Sequence, residues 1–158
     1  MATPTVGRQA PDFTLPGLVV RDGETTRADY TLSAAKGSPI VLAFYPGDET
    51  PVCTRQLCSY ADSMEAFADL GARVWGISPQ GLDSHEGFAR NRGLAFPLLA
   101  DTDRAVVRQY GIAMPGLGLR RSVFLVDGDG VLRWKNVGLI GVSYATAREI
   151  GKELARLR

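Results

Sequence analysis

The stretch "PIVLAFYPGDETPVCTRQLC", Pro39 to Cys58, decides how this chain folds. Its first part, Pro39 to Pro46, is a short apolar run closed by turn residues, the pattern of a central strand buried on both faces. Its second part opens a helix. Thr50 stands at the N-cap position, where its hydroxyl is expected to cap the first turn, and Pro51 stands at the first helical position, where a missing N–H costs nothing. Cys53 then falls in the first turn. A buried strand that passes through a loop into a helix is the opening of an α/β layer structure.

Outward from this stretch, the strand pattern returns at Ala72 to Pro79 and at Ser122 to Val126. The latter runs through Asp127-Gly128-Asp129-Gly130, a tight turn, into Val131 to Gly138, and so predicts a hairpin. Helical spacing joins Leu57, Tyr60, Ala61, Met64, Phe67 and Ala68, fits Leu82 to Arg92 and Arg104 to Tyr110, and closes the chain from Ser143, as cap, to Arg158. Strands alternating with helices, then a hairpin and a terminal helix, predict a thioredoxin-like α/β fold with a central mixed β-sheet and helices on both faces. No repeat or linker divides it, so residues 1–158 are expected to form a single domain.

With 158 residues, the chain can bury a core without disulfide or metal staples. Hydrophobic residues make up 45%, charged residues 22%, and the net charge is +1, which argues against disorder and against an electrostatic grip on nucleic acid. The N-terminal residues lack a basic segment followed by an apolar one, and no later run is long enough for a bilayer. A soluble, cytoplasmic protein that engages no membrane is expected. In a reducing compartment two cysteines point to redox, catalytic or metal chemistry rather than to a permanent bridge.

Those cysteines, Cys53 and Cys58, are five positions apart. The free N–H groups and the dipole of a helix N-terminus favour a thiolate at Cys53. At about 100° per residue, Leu57, Tyr60, Met64 and Phe67 lie within about 40° of Cys53, while Cys58 lies roughly 140° away, beside Asp62, Glu65 and Asp69. Cys53 therefore belongs to the buried stripe and Cys58 to the polar flank. Their Cα atoms would be ~8.6 Å apart on an intact helix, beyond the ~7 Å limit of a disulfide, so a bond between them requires the first turns to unwind.

C-x4-C is neither zinc spacing nor the C-x-x-C of thiol–disulfide oxidoreductases. Such an oxidoreductase, or a copper-binding or redox-sensing module, stays open at this point. The lone histidine, His85, is expected on the surface with no catalytic role, and Trp75 and Trp134 as core or partly buried aromatics.

"FYPGDETPVCTRQLC" resembles the active-site stretch of the peroxiredoxins, thiol peroxidases marked by P-x-x-x-[TS]-x-x-C, which reads here as Pro46, Thr50 and Cys53. A second cysteine five residues on is similar to the peroxiredoxin Q subfamily, also called bacterioferritin comigratory protein. "VGRQAPDFTLPG", "FPLLADTDRAVVRQYGI" and "RSVFLVDGDGVLRWKNVG" resemble other segments of the same family, so the likeness covers nearly the whole chain. The resemblance implies reduction of hydrogen peroxide and organic hydroperoxides with no metal or organic cofactor. Electrons would come from thioredoxin or a similar dithiol, and the enzyme would be a monomer.

It also implies roles for individual residues. Cys53 would be peroxidatic and Cys58 resolving, joined by an intramolecular disulfide. Thr50 would bond the thiolate and the peroxide, Arg121 would stabilise the thiolate and developing charge, and Pro46 would shield the pocket. Gln56 would orient Arg121. Val52 departs from the glycine common before the peroxidatic cysteine in this subfamily.

Overall fold

The computed structural model describes residues 2–116, 118–138 and 143–157. In chain order the elements are β1 (Thr14–Arg21), β2 (Glu24–Thr31), a 3-10 turn (Leu32–Ala35), β3 (Ile40–Phe44), α1 (Pro51–Asp62), α2 (Met64–Asp69) and β4 (Arg73–Ser78). There follow α3 (Leu82–Arg92), β5 (Leu98–Ala100), α4 (Ala105–Gln109), β6 (Ala113–Met114), β7 (Gly118–Leu119), β8 (Ser122–Val126), β9 (Leu132–Val137) and α5 (Ala147–Ala155).

All five residues of β3 are buried, as the apolar run predicts. The strand pairs in parallel with β4, from Ile40 opposite Arg73 to Phe44 opposite Ile77, and antiparallel with β8, from Ile40 opposite Val126 to Phe44 opposite Ser122. The full order is β2-β1-β5-β4-β3-β8-β9, a mixed sheet with β3 well inside it. Alternation along the strands divides the core in two. Val41, Ala43, Val123 and Leu125 pack with Leu57 and Tyr60 of α1, Phe67 of α2, Phe88 of α3 and Ile150 of α5. Ile40, Leu42, Phe44, Phe124 and Val126 pack on the other face with Val106 and Val107 of α4 and with Phe13. Helices thus cover both faces, in the expected thioredoxin-like arrangement.

Two local expectations are corrected, and one hairpin was not anticipated. The single helix read through Leu57 and Ala68 breaks at Ser63 (φ −103, ψ 6), whose N–H bonds back to the carbonyls of Tyr60 and Ala61. Apolar spacing persists across the break because both pieces lie on the same sheet face. The terminal helix begins at Ala147 rather than Ser143: Thr146 accepts from the N–H of Glu149, and the Glu149 side chain accepts from the N–H of Thr146, a reciprocal cap. Arg158, its expected last residue, lies outside the described residues. The β1–β2 hairpin was signalled by Asp22-Gly23, both at positive φ (52° and 80°) as a type I′ turn demands, but the strand β2 it introduces is largely exposed and polar, so no apolar run announced it.

Candidate active site

β3 delivers the chain to the loop at residues 45–50, and the loop delivers it to α1. Pro51 occupies the first helical position and the N–H of Thr54 bonds to the carbonyl of Thr50 at 2.8 Å, so the helix begins where the sequence places it. Cys53 lies in this first turn and is fully buried. Arg121, immediately before β8, is 5% exposed, whereas Arg120 is exposed, so one of two adjacent arginines turns inward. Its backbone is held by the N–H of Gly138, which donates to the Arg121 carbonyl at 2.9 Å. A Cβ at Gly138 would stand 2.9 Å from that same oxygen, so the close approach that seats Arg121 needs glycine there.

Nη1 of Arg121 donates to the sulfur of Cys53 at 3.1 Å and to Oε1 of Gln56 at 2.8 Å. Gln56, one turn after Cys53, uses its amide nitrogen to donate to the Tyr60 hydroxyl at 2.9 Å, and that hydroxyl donates to the carbonyl of Ala145, just before α5. A continuous chain of hydrogen bonds therefore leads from the sulfur through Arg121, Gln56 and Tyr60 to the Ala145 carbonyl. A guanidinium beside a sulfur favours negative charge on it, and Gln56 holds the guanidinium in place. Helical periodicity identified Tyr60 as core but not as a hydrogen-bonding member of the site; its position four residues after Gln56 was the available signal.

The loop residues differ from expectation in one respect. Thr50 has the extended backbone of an N-cap (φ −74, ψ 149), but its hydroxyl makes no cap bond and instead donates to the carbonyl of Gly47 at 3.1 Å, tightening the loop. Thr50 and Pro46 are both exposed, and Val52 is half-buried.

Cys58 is a free thiol, as is Cys53. It is half-buried and packs against the core cluster of the sheet face that holds Cys53. Burial pushes its thiol above the ordinary value; nearby Arg92 pulls it down, and Asp62 and Glu49 push it up.

His85 is the clearest correction. Expected on the surface, it is fully buried in α3, with Nδ1 2.7 Å from Oδ2 of Asp48 and Nε2 2.9 Å from the carbonyl oxygen of Leu99. The partner that makes burial tolerable lies 37 positions away in the loop before α1, out of reach of a local reading. Both ring nitrogens are committed, so the histidine a copper site with the two cysteines would draw on is already engaged.

The sequence profile of the AhpC/TSA family matches residues 6–135. This chain belongs to that family. Among its AhpC/TSA relatives, the chloroplastic peroxiredoxin Q of Triticum aestivum is 39% identical over 134 residues, which cover 81% of this chain and 57% of the wheat protein. The Coxiella burnetii protein named peroxiredoxin bcp is 35% identical over 145 residues, 86% of this chain and 91% of its own length. Among solved structures, the peroxiredoxin Q of Xanthomonas campestris superposes with a TM-score of 0.74 at 31% identity, covering 90% of each chain. These relatives place the chain beside the peroxiredoxin Q and Bcp proteins. Among the described residues, no helix is long and apolar enough to cross a membrane.

Proposed function

We propose that this AhpC/TSA protein, as a single domain over residues 1–158, is a thiol peroxidase in which Cys53 attacks and Cys58 resolves. The observation that carries the reading is the 3.1 Å contact from Arg121 Nη1 to the buried sulfur of Cys53. The thiolate of Cys53 attacks the terminal oxygen of a peroxide, the O–O bond breaks, and the sulfur becomes a sulfenic acid while the departing oxygen leaves as hydroxide or alkoxide and takes up a proton. Arg121 stabilises charge on the sulfur and on the oxygens as the bond breaks. Thr50 and Pro46 flank the approach from the exposed loop, Thr50 as a hydrogen-bond partner for the peroxide and Pro46 as a shield.

Cys58 then attacks the sulfenic sulfur, water leaves, and an intramolecular disulfide forms; thioredoxin or a similar dithiol reduces it. On α1 as it stands, the two cysteines are one and a half turns apart at roughly 3.6 residues per turn, so resolution requires the front of the helix to open. A cytoplasmic, reducing location suits a chain whose two cysteines cycle rather than form a permanent bridge. A monomer suffices, because both cysteines of the cycle are in one chain. The test is peroxide turnover coupled to a thioredoxin system. Turnover is expected for the native chain and none for Cys53→Ser; a Cys53→Ser variant that still consumes peroxide at the native rate sinks the reading.

A further inference from the structure

His85 is the chain's single histidine, and its two hydrogen bonds leave few choices for its protons. A carbonyl oxygen only accepts, so the contact with Leu99 puts a hydrogen on Nε2. On the other side of the ring, Asp48 is an acceptor at both oxygens: Oδ1 accepts the Tyr45 hydroxyl at 2.7 Å and Oδ2 accepts the Ser84 hydroxyl at 2.7 Å. A neutral ring would turn the Nδ1 lone pair on that carboxylate at 2.7 Å, a repulsive arrangement; a hydrogen on Nδ1 makes it a charge-assisted bond. Burial pushes the Asp48 carboxyl up, but the bonds from His85, Ser84 and Tyr45 outweigh it and hold the group below its ordinary value, in keeping with an ionised carboxylate.

The pair grips the loop that leads into Cys53. The N–H of Asp48 donates to Oε1 of Gln80, and the next residue, Glu49, is held at φ 61 with its carboxylate bonded to Asn91 and Arg92, each at 2.8 Å. Bonds to Gln80, Ser84, His85, Asn91 and Arg92 thus tie Asp48 and Glu49 to α3 and the segment before it, and of these side chains only His85 is buried. Directly after Glu49 come Thr50 and the first turn of α1.

We propose that His85, with a hydrogen on each ring nitrogen and paired with Asp48, is a positioning residue for the peroxidatic site, holding Thr50 and the turn beneath Cys53. The inference rests on the reading of Cys53 as the attacking thiol. The charged and titratable groups around the pair are accounted for. At the end of β3, burial keeps the Tyr45 hydroxyl well above its ordinary value and so a donor, and the charge of Cys53 acts in the same direction on Tyr45. In the loop, Glu49 is bonded to Arg92; on α3, Asp83 and Glu86 are bonded to Arg27 of β2; from β1, Arg21 donates to the carbonyl of Ala95. From β5 only a carbonyl faces the ring.

Because there is one histidine, imidazole 15N spectra of the reduced protein report it alone. Protonated-type shifts at both nitrogens at pH 7 are expected; a neutral ring at pH 7 overturns the proposal whether or not the protein reduces peroxide. In stopped-flow oxidation of Cys53, His85→Leu, which cannot bond Asp48, is expected to be slower by about tenfold or more, the scale of a misplaced reactive group. His85→Asn, which offers Asp48 an amide donor, should recover most of the rate. A native-like rate in folded His85→Leu, or a His85→Asn rate no better than that of His85→Leu, overturns it. Should His85→Leu fail to fold, the spectra and His85→Asn still decide. Loss of the peroxidase reading would show separately, as oxidation that survives Cys53→Ser.

Discussion

Nη1 of Arg121 serves two partners, the sulfur of Cys53 at 3.1 Å and the amide oxygen of Gln56 at 2.8 Å. The sulfur proposed to attack and the amide that steadies the guanidinium beside it are thus tied through one nitrogen, and both partners belong to the same helix. Any motion of α1 must change both contacts together.

Arg121→Ala is therefore expected to slow the first oxidation of Cys53 by about 10²–10³-fold, the usual effect of deleting one aligned donor to a developing charge. Arg120→Ala should leave it near normal, since Arg120 is exposed. Single-turnover fluorescence with hydrogen peroxide distinguishes them; a slow Arg120 variant beside a native-like Arg121 variant would reverse the assignment.

Cys53→Ser should abolish peroxide reduction, while Cys58→Ser should complete one oxidation and stop at the sulfenic acid. Trapping with a sulfenic-specific reagent followed by mass measurement reads the difference. Equal loss of the first oxidation in both variants contradicts the division of labour.

Burial raises the Cys58 thiol, so at neutral pH it is mostly protonated and unable to attack. Disulfide formation after a peroxide pulse should accelerate with pH by about tenfold per unit until the thiol titrates. A resolution rate flat from neutral to alkaline pH would show that Cys58 is not attacking from this half-buried position.

Tyr60→Phe removes the hydroxyl that accepts from Gln56 and donates to Ala145. Two buried polar groups lose a partner, at a cost of about 1–3 kcal/mol. Chemical denaturation measures it, and an unchanged midpoint would mean that water or a neighbour takes over. The same variant should slow Cys53 oxidation, because Gln56 loses its anchor.

The disulfide between Cys53 and Cys58 should melt the front of α1. Amide hydrogen exchange on both redox forms is the check: protection at Thr54 to Ser59 that survives verified oxidation would exclude unwinding.

What could be read without coordinates follows contact range. The buried strand and the helix start at Pro51 rest on neighbours in sequence and were legible from spacing and turn residues, whereas the inward arginine was singled out only by the family resemblance, since its partner Cys53 lies 68 positions away. The bonds between Asp48 and His85 and between Tyr60 and Ala145 span 37 and 85 positions, and no local pattern encodes them. Thr50 shows the middle case: its residue type and position fit a helix cap, but the choice of its hydroxyl for Gly47 depends on how the loop closes. Ser63 was invisible because two helices on one sheet face keep the periodicity of one.

That break at Ser63 sets the size of the moving part. Ahead of it are the twelve residues of α1 with both thiols; behind it α2 is fastened independently, with Phe67 in the core, its N–H bonded to Ser63 and its carbonyl bonded to Ala72. Opening that starts at Pro51 meets a natural stop at the end of α1 rather than running on toward β4. In the proposed cycle, a catalyst that dismantles part of itself at each turnover would have here a hinge that confines the damage, so that each cycle would refold one helix against a standing sheet instead of rebuilding the domain.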